Sequence, residues 1–299
     1  MVMYQKVLSR AGLSLDRLAN FCQFADQGSI AKAAKGDIIR QSLISRQIRD
    51  LSEFFGVELV RRKGRGLELT GPGRELAAIG RSHFTSLNDF LARCENTEWT
   101  ARIVASNSVG FWLVLPAIEK VRARMPNVRI EIHHEQTREM ATATREGTYD
   151  LAFIRKDAIL PGLKSRVLRK VGHSFLVPKK LSPQAPRDLA KALDSFPAAL
   201  PIGGRMREVL EQSAAKRGRE LKVSVACTSY LHAAKVLESE TTSAVLPDLA
   251  LPFLDQRNYH ALPMPETFTL CLVWSARNVA TRPALAELVE IFGEILADR

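Results

Sequence analysis

Cysteine is scarce in this chain, with four in 299 residues, at Cys22, Cys94, Cys227 and Cys271. Their scatter fits neither a disulfide framework nor metal-ligand spacing, so they read as buried apolar thiols of a reducing compartment. Long apolar runs are missing too. FWLVLPAI at 111–118 is among the longest, well short of the ~20 residues that span a bilayer. The opening MVMYQKVLSRAG lacks an apolar signal core. These absences argue against a membrane partner and place the protein in the cytoplasm. Catalytic signatures are absent as well: there is no GxSxG, no GxxxxGKS/T and no HExxH. His133 and His134 are adjacent on a strand pattern and point to opposite faces, so they cannot chelate a metal. The expectation is a non-enzyme with no catalytic residue, no metal and no cofactor.

What is present is an ordinary globular composition, 46% hydrophobic and 25% charged, enough for about two domains or three if one is small. Acids are outnumbered, 32 against 43 Lys and Arg, for a net charge of +11. A total of this size suits polyphosphates and anionic membranes alike. Its distribution discriminates. From Ser29 to Arg65 there are nine Lys and Arg against four acids, a local net of +5.

The patterns divide that region into short elements. Residues 1–14 are mixed and read as a leader. From Leu15, apolar positions Leu18, Ala19, Cys22 and Ala25 follow helical spacing. Gly28 stops that helix and Ser29 caps a short Ala-rich one that ends at Gly36. The next helix, from about Gln41 to Phe55, has an apolar stripe of Ile44, Ile48, Leu51 and Phe55. Val57–Val60 and Leu67–Leu69 read as strands of a hairpin around RRKGRG. Thr70-Gly-Pro72 opens a long helix to about Cys94. In it Ala77, Gly80, Phe84, Leu87, Leu91 and Cys94 repeat at 3-4-3-4-3 spacing. That seam serves self-association through Phe84, Leu87 and Leu91, or packs on its own N-terminal domain.

On the helix from Gln41, the face opposite the stripe carries Gln41, Ser42, Ser45, Arg46 and Arg49. Arg donates two bonds to guanine, Gln pairs with adenine, and Ser reaches base or phosphate. Polar residues in the first turns suit a helix that enters the major groove by its N-terminal end. The hairpin crowds Arg61, Arg62, Lys63 and Arg65 together, and these repel one another unless a polyanion or counterions are bound. Together they describe a helix-turn-helix with a basic wing, whose partner is double-stranded DNA.

Beyond about residue 98, strand and helix patterns alternate. Ile103–Ala105, Val128–His133 and Leu151–Ile154 form a β-α-β-α-β unit that implies a parallel sheet, with a helix starting at Pro116. A second unit holds strands at Phe175–Val177, Ala199–Ile202 and Val223–Cys227 and helices at Met206–Arg217 and Tyr230–Glu238. The fold class is α/β.

From Leu15 onward the chain resembles the LysR-type transcriptional regulators. The matching motifs are LxxF at Leu18–Phe21, GSIAKAA at Gly28–Ala34, SRQIRDL at Ser45–Leu51, FGVEL at Phe55–Leu59 and LTGPG at Leu69–Gly73. The resemblance implies a winged helix-turn-helix over 15–71, a dimerising linker helix over 72–97, and a periplasmic-binding-protein-like effector domain over 98–299. Lobe one of that domain would span 100–161 and 266–299, and lobe two 162–265. It also implies a small effector, often an organic acid, held between the lobes, dimers that pair into tetramers, and contact with promoter DNA or RNA polymerase. Carried over by position, Gln41, Ser42, Ser45 and Arg46 face bases, while Ser29, Arg62 and Arg65 contact phosphates or the minor groove. Lys63 and Arg49 join them.

The chain departs from the family where Asp37, Arg40 and Ser42 stand in place of the usual Leu, Ser and Pro. Losing that Ser and Pro weakens the start of the recognition helix, so Asp37 is expected to cap it instead, with Arg40 adding a phosphate contact. Val60 replaces the wing's usual Phe. SETTSAVLP at 239–247 replaces a Gly-rich turn, reshaping one pocket wall. Ligands of such sheets sit beyond strand carboxyl ends, which nominates Ser106, Asn107, Ser108, Gln136, Thr137, Ile202, Gly203, Thr228 and Ser229. The competing reading is a solute-binding protein or enzyme built on the α/β domain, with the N-terminal module used for assembly.

Overall fold

The computed structural model describes residue 7 and residues 12–64 and 66–297. The expected leader, 1–14, lies largely outside the described residues, as do Arg65, Asp298 and Arg299.

Three helices open the described chain: α1 (Leu15–Gln27), α2 (Ile30–Ala33) and α3 (Ile38–Phe55). Ser14 caps α1 by accepting from Arg17 N at 3.2 Å, and Ser29 caps α2 by accepting from Lys32 N at 3.2 Å. Asp37 caps α3 as expected, accepting from Ile39 N at 2.8 Å and Arg40 N at 3.1 Å. The recognition helix therefore begins at Ile38, not Gln41, one turn earlier. Phe21, Ile44, Ile48 and Leu51 build the core of this domain. Phe54, not Phe55, completes the buried stripe, because it packs on the segment at Gly12 while Phe55 is left 40% exposed at the helix end. Arg17 to Asp50, at 3.1 Å, and Asn20 to Gln47, at 2.7 Å, tie α1 to α3.

The hairpin strands are β1 (Val60–Lys63) and β2 (Gly66–Leu69). Val57–Leu59 are not strand, so Arg61, Arg62 and Lys63 belong to the ladder and not to the turn. The reason is local. Gly64, at φ 57°, is where the chain reverses, and Leu59 is drawn into the core instead. The LTGPG motif also has a physical reason. Thr70 accepts from Gly73 N at 3.1 Å, and a Cβ on Gly73 would overlap the Leu59 carbonyl oxygen.

Helix α4 (Gly71–Cys94) is 24 residues long, a rod of about 36 Å. Its seam divides. Ala77 is buried, and a Cβ on Gly80 would press into Cys22 and Leu18 of α1. Phe84 packs on the N-terminal core. Leu87, Phe90 and Leu91 are exposed, and Cys94, expected to be buried, is exposed beside them. The N-terminal half of the seam thus packs within the protomer, leaving the C-terminal half uncovered.

The remainder forms two lobes. Their strands are β3 (Trp99–Ala105), β4 (Val128–His134), β5 (Leu151–Arg155), β6 (Leu163–Val171), β7 (His173–Pro178), β8 (Ala198–Pro201), β9 (Val223–Cys227), β10 (Ser243–Pro247), β11 (Tyr259–Pro263) and β12 (Phe268–Ser275). One sheet runs β4-β3-β5-β12-β6 and the other β11-β7-β10-β8-β9. Within the first, β3, β4 and β5 are parallel, as the β-α-β-α-β order requires. The sheet is nonetheless mixed, since β12 runs antiparallel to β5 and β6.

That pairing corrects the lobe boundary. Residues 163–171, placed in lobe two by the sequence reading, pair with β12 and belong to lobe one. The chain crosses between lobes at Gly172 and again between Pro263 and Phe268. Helices α5 (Leu115–Arg124), α6 (Thr137–Arg145), α7 (Leu189–Ser195), α8 (Arg205–Lys216), α9 (Tyr230–Leu237), α10 (Ala276–Thr281) and α11 (Pro283–Leu296) cover the sheets. Pro116 does not start its helix. A helical turn at Asn107–Val109 and a π turn at Gly110–Val114 lead into α5, where Pro116 takes the second position, one that tolerates a missing N–H.

Candidate functional site

Helix α3 and the wing carry most of the residues expected to read nucleic acid. At 100° per residue, Ser42, Ser45, Arg46 and Arg49 point away from Ile44, Ile48 and Leu51, and all four are exposed. Gln41 lies at the edge of that face and is half-buried. The Ser42 hydroxyl donates to Ile38 O at 3.2 Å, which leaves its oxygen free to accept. Arg40 donates through Nη2 to Gln23 Oε1 at 3.0 Å and so is braced against α1. Ser29 spends its acceptor on the α2 cap and retains a hydroxyl to donate.

In the wing the side chains alternate. Arg61 and Lys63 share a face with Glu68, at 2.6 and 2.8 Å, and Arg62 takes the other. Hydrogen bonds from Lys63 and Arg61 hold the Glu68 carboxyl below its ordinary range. The sequence reading treated the wing cations as mutually repelling; Glu68, in their own hairpin, relieves that repulsion. Among the described residues, Arg46, Arg49 and Arg62 form no ion pair.

The second site is a cleft of about 980 Å³ between the lobes. It opens beyond the carboxyl ends of β3, β4, β8 and β9, where α/β sheets present loops and helix starts. All nine nominated residues line it: Ser106, Asn107 and Ser108, Gln136 and Thr137, Ile202 and Gly203, and Thr228 and Ser229. Of the four helix starts there, Ser229 caps its own helix, accepting from Leu231 N at 3.1 Å. The starts at Asn107, Thr137 and Arg205 have no side-chain cap, so backbone N–H groups are free at the cleft.

Among the lining residues that sequence reasoning missed are Arg155, His173, Arg205 and Tyr230. Arg155 closes the apolar run of β5, and the carboxyl-end rule would have found it. His173 carried no such signal, because it sits just past the crossing at Gly172. Its ring lies 5.5 Å from Tyr230 and 5.9 Å from Phe268. Burial pushes its pKa down to about 4 against the pull of Asp248, so it is neutral at pH 7. Burial likewise raises Tyr230 to about 12. His173 Nδ1 and Arg155 Nε are buried with no hydrogen-bond partner among the described residues; Arg155 Nε lies 3.3 Å from Asp157 Oδ1 without bonding geometry. Arg205 reaches across the cleft to Asp157 Oδ2 at 2.9 Å. Glu135, Glu139 and Glu266 line the space as well.

The His133 ring lies 5.1 Å from that of Tyr149, tilted by 43°, and His134 Nδ1 lies 3.3 Å from Ala105 O. Among the described residues no His, Cys, Asp or Glu cluster could hold a metal ion, and no helix is long and apolar enough to cross a membrane.

Residues 15–74 match the family described as bacterial regulatory helix-turn-helix protein, lysR family. Residues 97–297, more than half of the chain, match the LysR substrate binding domain. The chain belongs to the LysR family. Among curated LysR relatives, the HTH-type transcriptional regulator BenM of Acinetobacter baylyi is 31% identical over 160 residues, 52% of this chain and 53% of that protein. The chain spans about half the length of the curated relatives it matches. The fold is shared with full-length OxyR from Pseudomonas aeruginosa, at a TM-score of 0.68 and 16% identity over 96% of this chain and 95% of that one. It is shared equally with full-length LysG from Corynebacterium glutamicum, solved with bound effector Arg, at 0.68 and 15% identity over 95% and 98%.

Proposed function

We propose that this chain is a sequence-specific DNA-binding transcriptional regulator, working as a homodimer or homotetramer and controlled by a small molecule held between its lobes. The observation that carries the reading is electrostatic. Arg46 and Arg49 on α3 and Arg62 in the wing are cations without a counter-ion among the described residues, which is the state a phosphate backbone completes. In this reading Gln41, Ser42, Ser45 and Arg46 address base edges. Ser29, Arg40, Arg49, Arg62, Lys63 and Arg65 hold phosphates. The role is binding, not catalysis, and it is exercised on chromosomal DNA in the cytoplasm, at promoters where RNA polymerase is a further partner.

Titration of duplex DNA from roughly 50 to 300 mM salt tests the reading, because affinity must fall steeply as counterions compete. Weak binding that ignores salt would return the N-terminal module to an assembly role.

For the effector we infer an anionic organic molecule. Uncapped helix starts and the Arg155 guanidinium supply donors to a carboxylate, neutral His173 offers at Nδ1 one donor or acceptor according to its tautomer, and Tyr230 and Phe268 form an apolar wall. LysG takes the amino acid Arg as its effector on the same fold, which supports a small-molecule effector and leaves its charge to the lining of this cleft. Thermal shifts with small carboxylates and their amides separate the cases. Stabilisation by the acids alone fits, and stabilisation by amides alone rejects the anion.

A further inference from the structure

The capping of α3 by Asp37 places two aliphatic residues where helix-turn-helix surfaces are usually polar. Ile38 and Ile39 fill the first turn of the helix and are 77% and 83% exposed, the highest values of any large apolar side chain among the described residues. Neither joins a core cluster. By helical period, Ile39 points within about 20° of Arg46, and Ile38 within about 20° of Ser45. The pair therefore extends the base-facing surface toward the helix tip and does not open a separate face. The charges around it are mostly cationic: Lys35 and Arg40 flank it and Arg46 and Arg49 follow along α3, against the one carboxylate of the capping Asp37.

An apolar protein surface is poorly matched to that charge. A duplex matches both features, offering phosphates at the rim and one apolar group on the major-groove floor, the C5-methyl of thymine. We propose that Ile38 and Ile39 determine specificity by packing on thymine methyl groups at the position the helix tip meets. This rests on the DNA-binding reading above and adds a base preference that Ser, Gln and Arg do not supply.

The test uses the full-length protein and duplexes it enriches from a random-sequence pool. Each thymine of an enriched duplex is replaced in turn by deoxyuridine, which removes only the methyl. At one or more positions the wild type loses about four-fold in affinity, the value of one buried methyl. Ile38→Ala or Ile39→Ala loses a similar factor on the thymine duplex and gains no further penalty from deoxyuridine there, while Ile39→Val keeps most of the effect. Both positions are exposed, so unchanged melting certifies that the variants are folded. Flat deoxyuridine scans in the wild type, or equal penalties in wild type and both Ala variants, overturn the proposal. So does a change in solution mass in the variants with no methyl dependence, which would make the pair a protein contact. Failure to enrich any duplex sinks the DNA-binding reading itself, and this proposal with it.

Discussion

Arg282 donates from Nε to Asp89 Oδ2 at 2.6 Å, joining residues 193 positions apart. The contact fastens the linker helix α4 to lobe one. The guanidinium is fully buried, bonds Asp150 through Nη1 and the Thr100 carbonyl at 3.3 Å, and lies 5.6 Å from the Trp99 ring. Burial works against its charge, yet Asp150 and Asp89 hold it above its ordinary value. Ser86 to Thr281, at 2.9 Å, and Arg81 to Glu146 O, at 3.0 Å, reinforce the same seam. Arg81 also pairs with Asp26 of α1 at 2.7 Å, so a displacement of lobe one has a short mechanical route to the helix-turn-helix.

Arg282→Ala strands two buried carboxylates, and its expected cost is about 3–5 kcal/mol of stability. Arg282→Lys does not restore it, since one ammonium cannot replace a planar fork between two acids. Urea unfolding measures both. A loss below about 1 kcal/mol for Arg282→Ala would remove the strut.

Acid should loosen the cleft wall through His173. Its folded pKa, about 4, lies below the ordinary 6.5, so between these values the unfolded chain binds the extra proton. Stability from this group is present above pH 6.5 and is lost as pH falls towards 4, on the order of 3 kcal/mol across the window. His173→Gln removes the titration, and its melting curve should fall less steeply with pH than that of the wild type. Parallel curves would show that other groups carry the acid sensitivity.

Arg46 and Arg62 both form no ion pair among the described residues but sit on different elements, one on α3 and one in the wing. Arg46→Ala should cost about 1–3 kcal/mol on the preferred duplex and much less on random DNA. Arg62→Ala should weaken both alike and lower the salt slope by about one. Equal losses for Arg46→Ala on both duplexes would reassign it to a phosphate.

Leu87, 44% exposed, and Leu91, 53% exposed, share the uncovered side of α4 with Phe90. Leu87→Asp should leave the fold intact, because the side chain joins neither the lobe-one core nor that of the N-terminal domain, and should shift the solution mass towards a monomer. Scattering of the purified variant reads this directly, and an unchanged mass would count against self-association through this seam.

Local chemistry made much of this molecule legible. Asp37 as a cap, the carboxyl-end loops at Ser106 and Thr228, and the basic wing follow from residues within a few positions of one another. What escaped was non-local. Strand β6 joins lobe one only because it pairs with β12, about a hundred residues later, and no pattern within 163–171 names that partner. The α4 seam had a clear period, yet periodicity does not say whether Ala77 and Gly80 meet α1 or a second copy. Glu68 was overlooked as a counter-ion because the ladder that sets it opposite Arg61 was displaced by several residues in the sequence reading. Arg155 and His173 were missed at the cleft for related reasons, one overshadowed by hydroxyl-rich loops and one hidden behind a misplaced crossing.

The cap offers the sharpest check on the recognition helix. Asp37 satisfies two N–H groups at the start of α3, and its carboxylate also meets the positive end of the helix dipole. Asp37→Ala should cost about 1 kcal/mol, Asp37→Gly only a few tenths, and Asp37→Ser or Asp37→Asn little. Because the first turn carries Ile38 and Ile39, fraying in the Ala variant should also weaken specific DNA binding more than non-specific binding, although no side chain that touches DNA in the proposed mode has changed. Chemical denaturation and duplex titration of the same four variants should rank them in the same order. Matching stabilities for Ala and wild type would mean that α3 is held by its core residues alone and starts wherever Ile44 places it.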